Sequence, residues 1–192
     1  MKVLKNIVSQ LHRYIVWAIL LTFLWMFIYS RVGDRPAEKK VVLYVGAYET
    51  DSRELTLRLE DAGMPEGIEM IRATGGSYDL FGLSKDGDLY LFRETDLLAL
   101  LEEVPERLAT LELPQGMEGY SWEGRTVGLR VFDPATQRGP AMSCIQYAPL
   151  TGPETDPYYL CFDAASLHLA SNPEAIDNAA WQVAMSFLAM DD

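Results

Sequence analysis

The stretch RYIVWAILLTFLWMFIYSR, Arg13 to Arg31, has no charge between its two arginines, and it constrains this chain more than any other feature. A bilayer's hydrocarbon core is about 30 Å thick, and a helix rising 1.5 Å per residue crosses it with ~17–25 apolar residues. Tyr14 to Ser30 meets that length. A hydroxyl inside it, such as that of Thr22, can bond back to a carbonyl of its own helix. Tyr14 and Trp17 at one end and Tyr29 at the other fall at headgroup depth, whereas Trp25 lies off that belt. A helix packed on a globular core shows a polar stripe, and this segment shows none. A cleaved export signal has a shorter apolar core followed by small residues, but here the run ends in Arg31, Asp34, Arg35 and Pro36. The expectation is an uncleaved transmembrane helix, a signal anchor over residues 14–30.

The flanks complete that picture. Val3, Leu4, Ile7, Val8 and Leu11 recur at helical spacing, so residues 1–13 read as an amphipathic tail, either lying along the membrane surface or extending the anchor into water. Residues 31–40 form a short polar tether. The basic residues on the two sides nearly balance, so the positive-inside rule does not orient the span. Charge further on does. Of 16 basic and 28 acidic side chains, 7 and 2 lie in the first forty residues; the remaining 9 and 26 give residues 41–192 a net charge of −17. A potential negative inside favours moving such a segment outward by ~2.3 kcal/mol per charge per 100 mV. The tail is therefore expected in the cytoplasm and residues 41–192 outside it, with the cell membrane as location. The same acidity repels phosphate backbones and argues against nucleic acid as a partner.

Residues 41–192 suffice for one domain with its own core. KKVVLYVG reads as a strand buried on both faces. DSRELTLRLEDAG reads as a helix capped by Asp51, with Leu55 and Leu59 inward and a stop at Gly63. GIEMIRAT alternates like a half-buried strand, and DLYLF is a further strand running into a helix capped by Thr95, with Leu97, Leu98, Leu101 and Val104 inward and a stop at Pro105. Alternation of this kind predicts an α/β domain built on a mainly parallel sheet. Glycine and proline turns then separate Thr126–Phe132, Ala141–Ala148 and Tyr158–Phe162, a pattern for antiparallel hairpins. NPEAIDNAAWQVAMSFLAM predicts a C-terminal helix with Asn172 as N-cap and Pro173 at its first turn.

The order KKVVLYVG, helix, GIEMI, the loop SYDLFG and DLYLFRETDLLALLEEVPERLATLE resembles the first lobe of bacterial extracellular solute-binding proteins, the receptors of ABC importers. WEGRTVGLRV is similar to one of their hairpins. The whole layout, through YYLCFDAASLHL, also resembles uncharacterised membrane-anchored bacterial proteins. The resemblance implies a periplasmic-binding-protein-like single lobe, and a tethered module that recognises a small solute or peptide beside a transporter. Such receptors trap ligand between two lobes in chains about twice this long, so a shallow binding face is expected here. The other reading is a bitopic scaffold that contacts an envelope protein and binds no small molecule.

An open α/β sheet binds ligands at the carboxyl ends of its strands. The candidate ligand-binding residues there are Tyr48, Gly75, Gly76, Tyr78, Arg93 and Thr95: tyrosines to stack, glycines to admit a ligand to backbone amides, arginine to meet a carboxylate. No catalytic residue is assigned, because His168 is the one histidine outside the tail and reads as a structural hydrogen-bonder. No nucleophile elbow, phosphate loop, calcium loop or metal-ligand spacing occurs, and no metal or cofactor is expected. If PLTGPETDP joined two strands symmetrically, Tyr147 would oppose Tyr158 and Cys144 would oppose Cys161, within reach of a disulfide. Free buried thiols are the expectation, with the disulfide as the alternative.

Overall fold

A computed structural model describes residues 2–32, 34–75 and 87–190, with side chains throughout except at 2–10 and 28–32. The chain divides into two compact units, Met1–Pro36 and Ala37–Asp192.

The first unit is one helix, α1 (Lys2–Val32). Every side chain from Leu11 to Phe27 is exposed, including Trp17 at 64% and Trp25 at 69%. The Thr22 hydroxyl donates to the Ala18 carbonyl at 2.8 Å, so its polar group is satisfied inside the helix. Among the described residues no helix is long and apolar enough to cross a membrane.

The second unit is α/β. Its strands are β1 (Lys40–Val45), β2 (Glu49–Thr50), β3 (Met70–Gly75), β4 (Leu89–Arg93), β5 (Gly119–Trp122), β6 (Arg125–Phe132), β7 (Ile145–Gln146) and β8 (Tyr158–Phe162); its helices are α2 (Ser52–Ala62), α3 (Glu94–Glu103) and α4 (Ala179–Leu188). Six strands form one sheet in the order β3-β1-β4-β8-β6-β5, and β2 pairs with β7 apart from it. β1 runs parallel to both β3 and β4, while β4–β8, β8–β6 and β6–β5 are antiparallel. The sheet is therefore mixed rather than mainly parallel. Only β1, β3 and β4 run parallel; β8 enters the middle of the sheet in the opposite sense.

β4 and β8 have neighbours on both edges and helices or loops over both faces, which explains their unbroken apolar runs LYLF and YYLCF. Alternate residues serve two cores. Leu89, Leu91, Leu160 and Phe162 pack with Leu55 and Leu59 of α2 and Val183 and Phe187 of α4. Tyr90, Phe92, Tyr159 and Cys161 pack with Leu97, Leu100 and Leu101 of α3. The β5–β6 hairpin turns on Glu123 and Gly124, both at positive φ (50° and 80°), the conformation a two-residue hairpin loop demands.

Helix boundaries follow the local code in one case and depart from it in two. Asp51 caps α2 by accepting the Glu54 amide at 3.0 Å, and Gly63 ends it at φ 125°. α3 instead starts after Arg93 without a side-chain cap, because the Thr95 hydroxyl donates to Asp156 at 3.0 Å. Its inward residues are Leu97, Leu100 and Leu101, with Leu98 and Val104 exposed. α4 starts after Asn178 rather than Asn172. The Asn172 side chain donates to the Ser166 carbonyl and the Ile176 amide to the Leu167 carbonyl, so residues 172–178 are tied to the preceding loop and turn instead of coiling.

The symmetric hairpin expected from PLTGPETDP does not form. β7 pairs with β2, and Cys161 pairs with Tyr90 and Gly128 across β8's two edges. Tyr147 and Tyr158 still meet, ring to ring at 5.0 Å, and the Tyr158 hydroxyl donates to the Tyr147 carbonyl. Cys144 and Cys161 are buried free thiols, and burial pushes the Cys161 thiol's pKa upward.

Candidate functional site

The parallel strands β1, β3 and β4 deliver their carboxyl ends to one edge of the sheet. Tyr48 follows β1, with its amide donating to the Gln146 carbonyl at 3.1 Å. Arg93, the last residue of β4, reaches it from the neighbouring strand: its Nη1 donates to the Tyr48 hydroxyl at 3.3 Å, and its guanidinium carbon lies 5.3 Å from the ring centroid. Its Nε donates to Asp96 at 3.0 Å. Burial alone would lower the Arg93 pKa, but Asp96 and the Tyr48 hydroxyl outweigh it and hold the charge firmly.

The structure therefore brings Tyr48 and Arg93 together. Gly75 ends β3 nearby, with its amide donating to the Ser52 hydroxyl at 2.7 Å; a Cβ there would stand 2.6 Å from that of Thr50, so this close approach needs glycine. The Thr95 hydroxyl is taken by Asp156. Gly76 and Tyr78 lie outside the described residues. Each described candidate thus has partners within the protein, and only Tyr48, 47% exposed, offers a broad open surface.

Beside this edge opens a groove of about 530 Å³. β2 and the start of α2 supply Glu49 and Asp51 to it, and the segment around β7 supplies Ile145 and Tyr147 above Phe132. Tyr147 stacks on Phe132 with centroids 4.8 Å apart and donates to the Pro140 carbonyl, so two buried rings support the groove rigidly from beneath. A volume of this size suits a small ligand.

The opposite edge, at the amino ends of β1 and β4, holds a charged network that the sequence reading missed. Asp163, only 3% exposed as a side chain, accepts from the Tyr90 hydroxyl at 3.0 Å and faces Arg107 Nε at 2.6 Å. Asp88 accepts from the Val42 amide at 2.8 Å and the Ser166 hydroxyl at 2.6 Å. Burial raises its pKa against the pull of those two bonds. Asp88, Asp163, Ser166 and Lys40 line a small cavity of about 110 Å³. His168 is buried, with Nδ1 at 2.9 Å from Asp177 and Nε2 donating to the Ala37 carbonyl at 2.8 Å. Burial would lower its pKa, but the Ala37 carbonyl, Asp177 and Asp88 together raise it above the ordinary histidine value.

Chemically this edge is a clasp. The Ser166 hydroxyl donates to Asp88 and accepts the backbone amide of His168, while the imidazole faces Asp177 and Ala37, so the imidazole is not placed to take a proton from Ser166. Among the described residues no group of three or more histidines, cysteines and acids could hold a metal ion. One signal in the sequence did mark the clasp: acids abut both buried strands, Asp88 before LYLFR and Asp163 after YYLCF.

No protein-family model matches the chain, and neither a curated protein nor a solved structure matches it.

Proposed function

We propose that this chain is a membrane-tethered, extracytoplasmic binding module, receptor-like for a small solute or peptide and placed beside a transporter. α1 anchors it through residues 14–30, with the tail in the cytoplasm and the acidic α/β unit outside, folded in the manner of a single solute-receptor lobe. The observation that carries the binding half is the groove of about 530 Å³, which opens beside the carboxyl edge over buried, stacked rings and has polar groups at its mouth. The tether is supported by the exposed apolar surface from Leu11 to Phe27. Each such large side chain gains about 1.5–3 kcal/mol on leaving water, so a continuous sleeve of them calls for lipid.

A specific observation favours the scaffold reading instead: the Gly75 amide, the Arg93 guanidinium and the Thr95 hydroxyl are already engaged within the protein. A thermal-shift screen against sugars, amino acids and peptides separates the two. A ligand that binds only the native state raises its apparent stability, by about 2.7 kcal/mol at a hundred times its Kd. Silence across the screen, with an envelope protein recovered by cross-linking in membranes, leaves the scaffold. Release of the full chain by alkaline carbonate, or protection of its acidic unit from protease added to intact cells, refutes the tethered arrangement.

A further inference from the structure

Two grooves of opposite character meet at Met142. In the groove beside the carboxyl edge, Glu49 and Asp51 are the charged lining residues, and none is basic. The second, about 630 Å³, is lined by Arg130 and Arg138 among apolar residues that include Pro140 and Leu188, and by no acid. Arg130 is committed, with ion pairs to Glu118 and Asp133. Arg138 is exposed, and its guanidinium has no ion-pair partner among the described residues. Acids outnumber bases 26 to 9 after residue 40, and Arg58, Arg93 and Arg107 each have a carboxylate at 3.3 Å or less. Arg53, Arg125 and Arg138 have no such carboxylate among the described residues, and of these three Arg138 alone lines one of the two grooves. The Glu49 carboxylate is likewise without a hydrogen bond or ion pair among the described residues.

We infer that the ligand is a short apolar peptide with both termini free, a refinement that rests on the binding-module reading. Its ammonium end sits against Glu49 and Asp51, its carboxylate end on Arg138, and its side chains over the exposed Met142 between them. The chemistry sorts the ends. Carboxylates accept from an ammonium, while a planar guanidinium matches a carboxylate with two parallel hydrogen bonds. Met142 is 44% exposed and belongs to both grooves; an unbranched thioether there adapts to varied side chains. A sugar or a neutral solute would leave both charges unused.

The test is calorimetric titration of the full chain in nanodiscs of uncharged lipid with trileucine, N-acetyl-trileucine and trileucine amide. Free trileucine is expected to bind, and each cap to weaken binding by about fivefold or more, since hydrogen bonds between ionised groups are the strong ones. Arg138→Gln should erase the penalty of the amide while keeping that of the acetyl group, and Glu49→Gln should do the converse. Equal binding of free and capped peptides, or variants that leave this selectivity unchanged, overturns the two-ended assignment and leaves a binding module that reads other features. No binding by any of the three peptides also overturns it. In that case a non-peptide solute that raises thermal stability preserves the binding-module reading, and silence from every compound ends both.

Discussion

Tyr90→Phe isolates the worth of one hydroxyl in the amino-edge clasp. The ring is fully buried in β4, between Tyr44 at 5.8 Å and Phe92 at 5.6 Å, and phenylalanine keeps those contacts. What is lost is the bond to Asp163 at 3.0 Å, the bond from Arg107 Nη2 at 3.1 Å and a long contact to the Gly87 carbonyl at 3.4 Å. These losses are unequal. The Arg107 side chain is 27% exposed and can turn to water, whereas Asp163 is 3% exposed and retains only the Arg107 Nε contact and the Ala165 amide at 2.8 Å. One hydrogen bond to a buried charge therefore dominates, at about 1.5–3 kcal/mol. For a unit of this size each kcal/mol moves Tm by about 2–4 °C, so Tyr90→Phe should melt ~3–12 °C below the parent. Urea denaturation of the unit from Ala37 onward, repeated in an Arg107→Gln background, gives the coupling directly; neighbours in one network couple by about 0.5–3 kcal/mol. A loss below about 0.5 kcal/mol, or zero coupling to Arg107, refutes the idea that this network holds the edge of the sheet together.

Three other perturbations probe the clasp, the helix caps and the sheet. His168 has a raised folded pKa, so its contribution to stability is complete below the unfolded value of about 6.5 and is lost as pH rises through the folded value; His168→Gln should flatten that stretch of the stability–pH curve, and an unchanged slope counts against the Ala37–His168–Asp177 clasp. Asp51→Ala removes the N-cap of α2 and should cost about 1 kcal/mol in denaturation, while Thr95→Ala, whose hydroxyl caps nothing, should not fray α3. Gly128→Ala places a Cβ 3.1 Å from both the Cys161 sulfur and the Tyr159 Cβ in the middle of the sheet, an overpacking expected to cost about 1–3 kcal/mol by chemical denaturation; a neutral result means that β6 and β8 separate more easily than their pairing implies.

Much of the α/β unit was legible because its signals are local. KVVLYV, LYLFR and YYLCF are apolar on both faces, and each is a strand with cores above and below it. Asp51 and Gly63 bound α2 where short-range chemistry places them. The errors share a physical cause, which is competition from distant partners. Thr95 gives its hydroxyl to Asp156, Asn172 gives its amide to the Ser166 carbonyl, and β7 leaves β8 for β2. None of those partners lies within the window in which a capping or hairpin rule operates. The candidate site shows the same division: Tyr48 and Arg93 converge because parallel strands end together, and of the two roles open to Arg93, meeting a ligand carboxylate or pairing with a neighbouring acid, only the structure shows it held by Asp96 and Tyr48.

By itself the sequence determined the long uncharged stretch of the N-terminal helix, the acidic character of residues 41–192, and the positions of β1, β3, β4, β6, β8 and the helices, since these depend on run length, charge and periodicity along the chain. The tertiary structure alone decided that β8 runs antiparallel through the centre of the sheet, that Asp88, Asp163, Ser166 and His168 gather at its amino edge, and that Glu49 and Arg138 line grooves meeting at Met142. Those arrangements arise from contacts between segments dozens of residues apart, where many pairings satisfy the local pattern and only packing of the whole selects one.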